Sequence, residues 1–526
     1  MSWMPCDRTS NPLFPAPRFV SGHFVPRLTL LAPDRSITVR GLDETRKKWE
    51  AHWAAALSEE DLQWLVTTAR CNSVRLPIGY WTLGPAFCAH TPFAMLPAQV
   101  FVNAWSAVKA IVARCYARGI GVLLDLHGVP GGANHETHSG TSHGKAELWG
   151  NQFYLDLATR CLTFMAEETV RSADLNGVVG IQVCNEAIWD APSIYEWYNE
   201  VIERISSIDH TLPVYISDAW DLGRALRFTR AYNRVRRPCT SPVVVDTHRY
   251  YTFDAKDTSR SPPELIEQVR ATELTAESGA DLVGNVFDHE AAVALYVGEY
   301  SCALAPQTWA RVPTDQKSKL MTEFGNAQSR RWQEKASGAA FWTLKMDWMD
   351  GWEWGFKQQV NDGNVVPPSV FELRGQEVGM KIEEAESKRS EMKTSAMKAH
   401  CDYWDHAAPG GHFEHWRYAD GWHCGWIDAR EFFGARFHGL VPGRGEAGED
   451  GREAEGNGRE ASGHGRLLQT GEGVLGADLI GAVDLWVLKR MREENVVPRE
   501  ECGFGWEWEQ GFRAGMKAFL GVVGGY

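Results

Sequence analysis

Val178-Val179-Gly180-Ile181-Gln182-Val183-Cys184-Asn185-Glu186 and Leu295-Tyr296-Val297-Gly298-Glu299-Tyr300-Ser301 are short apolar runs, and each delivers an acid where the run stops. Each reads as a strand buried on both faces, the kind an all-parallel sheet uses. Working outward, six further runs of this type lie at 37–42 (Ile-Thr-Val-Arg-Gly-Leu), 73–78, 121–127, 213–218, 243–250 and 338–345. Segments of helical period separate them, at 58–70, 98–118, 152–171, 195–207 and 314–334. Ser58, with Glu60 and Asp61 in the first turn, opens the first of these. Eight β-then-α units between residues 37 and 345 predict an α/β chain folded as a closed (β/α)8 TIM barrel. An open doubly wound sheet is the structural rival, but it needs a nucleotide-type crevice that the early loops do not suggest.

The barrel unit is expected over residues 37–368, after an N-terminal segment 1–36. Beyond Pro367-Pro368 the character changes. Residues 369–441 read as a helical, aromatic-rich extension, with a charged helix at 376–404 and a His-rich block at 403–433. Residues 442–466 are dominated by Gly, Glu and Arg, a composition that predicts a disordered linker. Residues 467–526 form a C-terminal helical segment, with helices expected at 476–494 and 504–520. Gly351-Trp352-Glu353-Trp354 echoes Gly505-Trp506-Glu507-Trp508, and both read as Trp-rich turns rather than a repeat.

Composition sets limits on partners. The 526 residues carry a net charge of −14, which argues against nucleic acid or an anionic membrane as the main partner. Neutral polymers are indifferent to that charge, and 23 Trp supply flat apolar faces suited to sugar rings or to a core. The 11 Cys, scattered without Cys-x-x-Cys spacing, read as reduced thiols. No basic segment followed by an apolar stretch opens the chain, so a signal peptide is not expected and a cytoplasmic location is. No window reads as apolar enough for a membrane helix, so membrane insertion is not expected. Oligomeric state is not legible.

Chemistry concentrates at strand ends. In a parallel barrel the C-termini of the strands meet on one rim, so Glu186 and Glu299 are expected to face one pocket. Two carboxylates about 5–5.5 Å apart suit hydrolysis of a glycosidic bond with retained configuration. In that scheme Glu299 is ionised and attacks, while Glu186, its pKa raised by burial and its neighbour's charge, acts as acid and then base. Arg75, His127, His248 and Tyr250 fall at the same rim, with Asn185 beside Glu186 and Trp342 in the last strand. Arg75 and Tyr250 are suited to holding Glu299 charged, Asn185 to binding a sugar 2-hydroxyl, and Trp342 to stacking. Singly, each has a structural alternative: a buried ion pair, a satisfied core histidine, plain packing.

Other signals carry less. His412, His415, His423 and Cys424 match no standard zinc spacing, so no metal is assigned. Gly471-Glu472-Gly473-Val474-Leu475-Gly476 fits a dinucleotide fingerprint, but no strand precedes it. Ser139 and Ser142 lie near histidines without a nucleophile elbow. Two carboxylates need no cofactor.

Asn72-Ser73-Val74-Arg75-Leu76-Pro77-Ile78-Gly79-Tyr80-Trp81, Asp125-Leu126-His127-Gly128, Asn185-Glu186, Thr247-His248-Arg249-Tyr250, Gly298-Glu299-Tyr300-Ser301 and Phe341-Trp342-Thr343-Leu344-Lys345 occur in that order. As an ordered set, spanning roughly 49–368, they resemble the fungal exo-β-1,3-glucanases of glycoside hydrolase family 5. The resemblance implies a retaining enzyme releasing glucose from β-1,3-glucan, with Glu186 as acid/base and Glu299 as nucleophile. It implies that Arg75, His127, Asn185, His248, Tyr250 and Trp342 line the subsite for the terminal glucose. β-1,6- or β-1,4-glucan, a glucosylated lipid, and a non-catalytic glucan-binding barrel remain alternatives. Many members of that group are secreted, which sets an extracellular or cell-wall location beside the cytoplasmic one. Members open with a Gly-Val-Asn-Leu-Gly-like first strand, whereas this chain offers Val39-Arg40-Gly41-Leu42.

Overall fold

The computed structural model describes residues 31–141, 143–237, 239–274, 286–345, 353–367, 373, 375–437, 441, 482–493 and 504–524. Seven strands form one sheet: β1 (Ser73–Gly79), β2 (Gly121–Gly128), β3 (Val178–Gln182), β4 (Val214–Ser217), β5 (Val243–Tyr251), β6 (Leu295–Leu304) and β7 (Ala339–Phe341). Each pairs in parallel with the next in sequence, and helices run between them, so the sheet curls into a nearly closed barrel. All residues of β2, β3 and β6 are buried, as expected of strands covered by helices outside and side chains within.

The strand expected at 37–42 does not form. Helices Leu31–Arg40 and Leu42–Ala55 occupy that stretch, broken at Gly41, whose φ of 81° is left-handed. β-branched residues cost a helix only a few tenths of a kcal/mol each, roughly, so packing decides. Packing favours the helix: Thr45, Trp49 and Trp53, spaced four apart, are buried along one face, while Val39 is 80% exposed. Among the described residues no strand pairs with the free edges of β1 and β7, which leaves a seam between them. Side chains cross it. Lys345 and Lys357, beyond β7, both bind the Asp61 carboxylate on the helix that leads into β1. Trp64 meets Phe356 edge-on at 5.8 Å. Asp61 also caps its own helix, Glu59–Thr67, through a capping box with Ser58.

The expectation that no segment suits a membrane needs correcting: Leu96–Tyr116 is long and apolar enough to cross one by length and composition. In the fold it is interrupted by a turn at 101–103, and Val108, Ile111, Val112 and Cys115 are buried in the barrel's outer core.

Among the described residues, four helices follow the barrel: Gly375–Ala407, His415–Phe437, Val483–Glu493 and Gly505–Val523. The expected linker 442–466 and the glycine motif 471–476 lie outside the described residues. Residues 505–508 open the last helix rather than making a turn. That helix packs tightly against His415–Phe437. A Cβ on Gly425 would sit 2.0 Å from the Phe512 carbonyl oxygen, and one on Gly515 2.0 Å from that of Trp422, so the two backbones touch through reciprocal glycines. Glu509 reaches back to the barrel, where its two carboxylate oxygens accept the Val286 and Phe287 amides at 3.0 and 2.8 Å. Val286, Phe287, Ala292 and Ala294, in the segment that enters β6, form one apolar cluster with Leu485, Trp486, Trp508 and Phe512. The extension therefore sits at the face where β6 begins, away from the strand ends that carry the acids.

Candidate active site

Strand chemistry brings the predicted residues together. On β6, alternation turns Tyr296 into the barrel and Val297 out, and would send Glu299 outward. A bulge prevents this: Thr247 pairs with Val297 but His248 with Glu299, so Gly298 is the extra residue. Only glycine fits there, since a Cβ would meet Asp246 Oδ1 at 1.9 Å. Glu299 ends fully buried. Glu186, just past β3, takes φ of 44°, a strained conformation for a residue with a side chain. Its carboxylate meets the others: one atom each from Glu186, His248 and Glu299 lie within 4.8 Å of one another.

The contacts are specific. Arg75, fully buried, donates from Nη1 to Glu299 Oε1 at 2.8 Å, from Nη2 to Asn185 Oδ1 at 2.8 Å, and from Nε to Gln182 Oε1 at 2.5 Å. Tyr250 donates its hydroxyl to Glu299 Oε2 at 2.8 Å. His248 places Nδ1 at 2.8 Å from Glu186 Oε1 and 3.4 Å from Glu299 Oε2, with Nε2 3.1 Å from Asp246 Oδ2. His127 pairs through Nδ1 with Asp125 Oδ2 at 2.8 Å and lies parallel to Trp342 at 5.6 Å. Asn185 Nδ2 is a buried donor with no protein partner. All eight predicted residues thus gather in one cluster.

The sequence reading missed a supporting set. Asp125, Asp246, Gln182, His138 and Asn134 bind the predicted residues directly. His138 contacts His127 at 3.1 Å and lies 3.7 Å from Glu186, while Asn134 donates to the Glu186 carbonyl at 2.9 Å. A signal was present: Asp125-Leu126-His127 and Asp246-Thr247-His248 repeat Asp-x-His, and alternation puts both members on one strand face.

Electrostatics departs from the expectation. Burial pushes the Glu299 carboxyl up to about 8; His248 and Arg75 pull it back, and the charge of Glu186 adds to the rise. Burial also works to raise Glu186, but the hydrogen bond and charge of His248 outweigh it and hold that carboxyl at about 2. The two shifts run opposite to the order expected from sequence, although both Glu299 oxygens accept hydrogen bonds, from Arg75 and Tyr250. His248 loses stability as a cation through burial, yet Glu299 and Asp246 raise it well above the usual histidine range. Burial drops His138 to about 4 and lowers His127, so both are neutral near pH 7.

Among the described residues, two groups have three potential metal ligands in reach: Glu186, His248 and Glu299, and, in the extension, His400, His415 and Glu507. The second joins three helices. His400 Nε2 and His415 Nδ1 each lie 2.9 Å from Glu507 Oε2, so the residues already satisfy one another. Of the histidines weighed in the sequence, only His415 belongs to it.

A barrel with two acids at its strand ends is the architecture of a glycoside hydrolase, and the comparisons agree. Residues 37–346 match the family described as Cellulase (glycosyl hydrolase family 5), to which the chain belongs. Residues 385–523 match a second family, described as the Glucan 1,3-beta-glucosidase 3 C-terminal domain. Glucan 1,3-beta-glucosidase 3 of Schizosaccharomyces pombe is 30% identical over 406 residues, covering 77% of this chain and 80% of that protein. An uncharacterized glycosyl hydrolase of Saccharomyces cerevisiae is 27% identical over 483 residues, 91% of this chain and 81% of its own. Among solved structures, rutinosidase from Aspergillus niger aligns with a TM-score of 0.46 at 15% identity, over 60% of this chain and 84% of that one.

Proposed function

We propose that the chain removes glucose from β-1,3-glucan with retained configuration. The observation that carries this is the approach of a Glu186 oxygen and a Glu299 oxygen to within 4.8 Å at the strand ends. That spacing suits direct attack and leaves no room for the intervening water of an inverting enzyme. The name of the Schizosaccharomyces pombe relative supports the linkage.

Glu299 attacks the anomeric carbon and Glu186 protonates the departing oxygen, then takes a proton from water. This requires the proton to sit on Glu186 and Glu299 to be ionised, so a proton must be able to pass between the two acids. His248 offers the route, since its Nδ1 lies against an oxygen of both acids. Passing its proton to Glu186 and taking that of Glu299 leaves its own charge unchanged. Positive charge developing at the anomeric carbon favours the ionised form of Glu299, which Arg75 and Tyr250 then hold. Asn185 Nδ2, buried and unpaired, is placed to donate to a sugar hydroxyl, and Trp342, stacked on His127, backs the same cluster.

A hydrolysis panel over β-1,3-, β-1,6- and β-1,4-linked glucans, with the anomer of the product read by NMR, tests the reading. β-Glucose released first from β-1,3 chains is expected. α-Glucose, or preference for another linkage, would overturn the corresponding part.

A further inference from the structure

Trp189 and Trp220 are 69% and 54% exposed, unusual for tryptophan, and both stand on the active-site rim. Trp189 lies three residues beyond Glu186, and Trp220 three residues beyond Ser217, the last residue of neighbouring β4. Neither loop is slack. The Ser217 hydroxyl accepts the Ala187 and Ala219 amides, each at 3.2 Å, and so ties the two loops together. Arg224 bridges them again, donating to Asp190 at 2.7 Å. Trp220 has φ of 63°, a left-handed conformation costly for a bulky residue, and its amide is held by buried Asp218 at 3.0 Å. A small hollow lined by Trp189, Ala219, Asp190, Asp221 and Arg224 lies between the loops.

We infer that Trp189 and Trp220 form the subsite for the leaving group, and that its occupant is a further glucosyl unit of a β-linked chain. The inference rests on the proposed role of Glu186. The acid must stand beside the oxygen that departs, so the leaving group passes over the loop that follows Glu186. Flat indole faces cover the apolar face of a sugar ring, while Asp190, Asp221 and Arg224 offer partners to its hydroxyls. An acyl chain would strip water from the half-exposed Asp190–Arg224 pair without replacing it. Rigid loops present the rings at low entropic cost.

The test compares the native chain with Trp189→Ala, Trp220→Ala and the double variant on β-glucosyl fluoride, whose leaving group has no ring, and on laminaribiose through laminaripentaose. Expected are unchanged kcat/KM on the fluoride and a loss of about tenfold or more on laminaritriose and longer, carried by KM. Equal loss on both substrates, or none on either, would overturn the subsite, as would a native preference for long-chain alkyl glucosides that the variants abolish. Calorimetric binding of laminaripentaose separates the two readings. A chain that binds it through these tryptophans yet cleaves no β-glucoside keeps the subsite and loses the proposed reaction. Cleavage of laminarioligosaccharides that is indifferent to both substitutions keeps the reaction and loses the subsite.

Discussion

Glu299 is the residue at which charge, burial and backbone meet. A carboxyl held near 8 when folded keeps its proton between about pH 4.3 and 8, where the unfolded chain has lost it, so native stability falls as pH rises through that window. Glu299→Gln cannot ionise, so its thermal midpoint is expected to exceed that of the native chain by more at pH 8.5 than at pH 5, with turnover abolished. A constant difference in midpoint would contradict the buried, protonated acid. Glu186→Ala is expected to lose about 10²–10⁴ in kcat on laminaribiose and much less on a glucoside with a good leaving group, which needs no acid. Equal loss on both would remove Glu186 from that role. His248→Asn takes away the bridge between the acids, and both the level and the midpoints of the kcat/KM–pH profile should move; a lower level with unmoved midpoints would mean simple positioning. Residue identities and strand-end positions were legible in the sequence because alternation and order are local properties. The direction of the two acids' pKa values was not, because it depends on His248, which reaches Glu186 from a strand 62 positions away.

Elements were legible where burial is symmetric. Strands covered on both faces announce themselves as unbroken apolar runs, and β1 to β7 fall where such runs predict them. The segment 37–42 misled because Ile37, Thr38, Val39 and Leu42, β-branched or apolar, say nothing about what packs on them. The stripe Thr45, Trp49, Trp53 beyond it held the deciding information. Its loss as a strand gives Asp61 a duty beyond capping. Burial works to raise this acid, but Lys345 and Ser58 bring it down to about 2, so its stabilisation is present above the usual carboxylate pKa and is lost as pH falls toward 2. Asp61→Asn should lower the thermal midpoint at pH 7, with the deficit shrinking as the buffer is taken below pH 4. A deficit that persists undiminished would assign the effect to shape rather than charge. Between the last helices, Gly425→Val would force apart backbones that now touch, and a loss of several kcal/mol is expected by denaturant melt, roughly the scale of overpacked cores.

At the scale of the whole molecule, the extension was legible from sequence as helical, as an appended subdomain or a wrap around the barrel, but the residues that join it to the barrel's packing were not. No local pattern tells that Glu509 will accept amides from Val286 and Phe287, more than two hundred positions earlier. Helix Gly505–Val523 carries this contact on one side, and through Glu507 it carries the knot with His400 and His415 on another. Without that helix, Val286, Phe287 and the apolar side chains around them at the base of the barrel would be exposed to water. A truncation at residue 374 is expected to be recovered as aggregate, and a soluble, active barrel from it would refute the shared core. The reciprocal glycines and the Glu509 clamp have a bearing on inheritance as well. A module joined by a flexible tether can be swapped between enzymes by recombination; one whose helix is a structural floor for its neighbour must be passed on together with it.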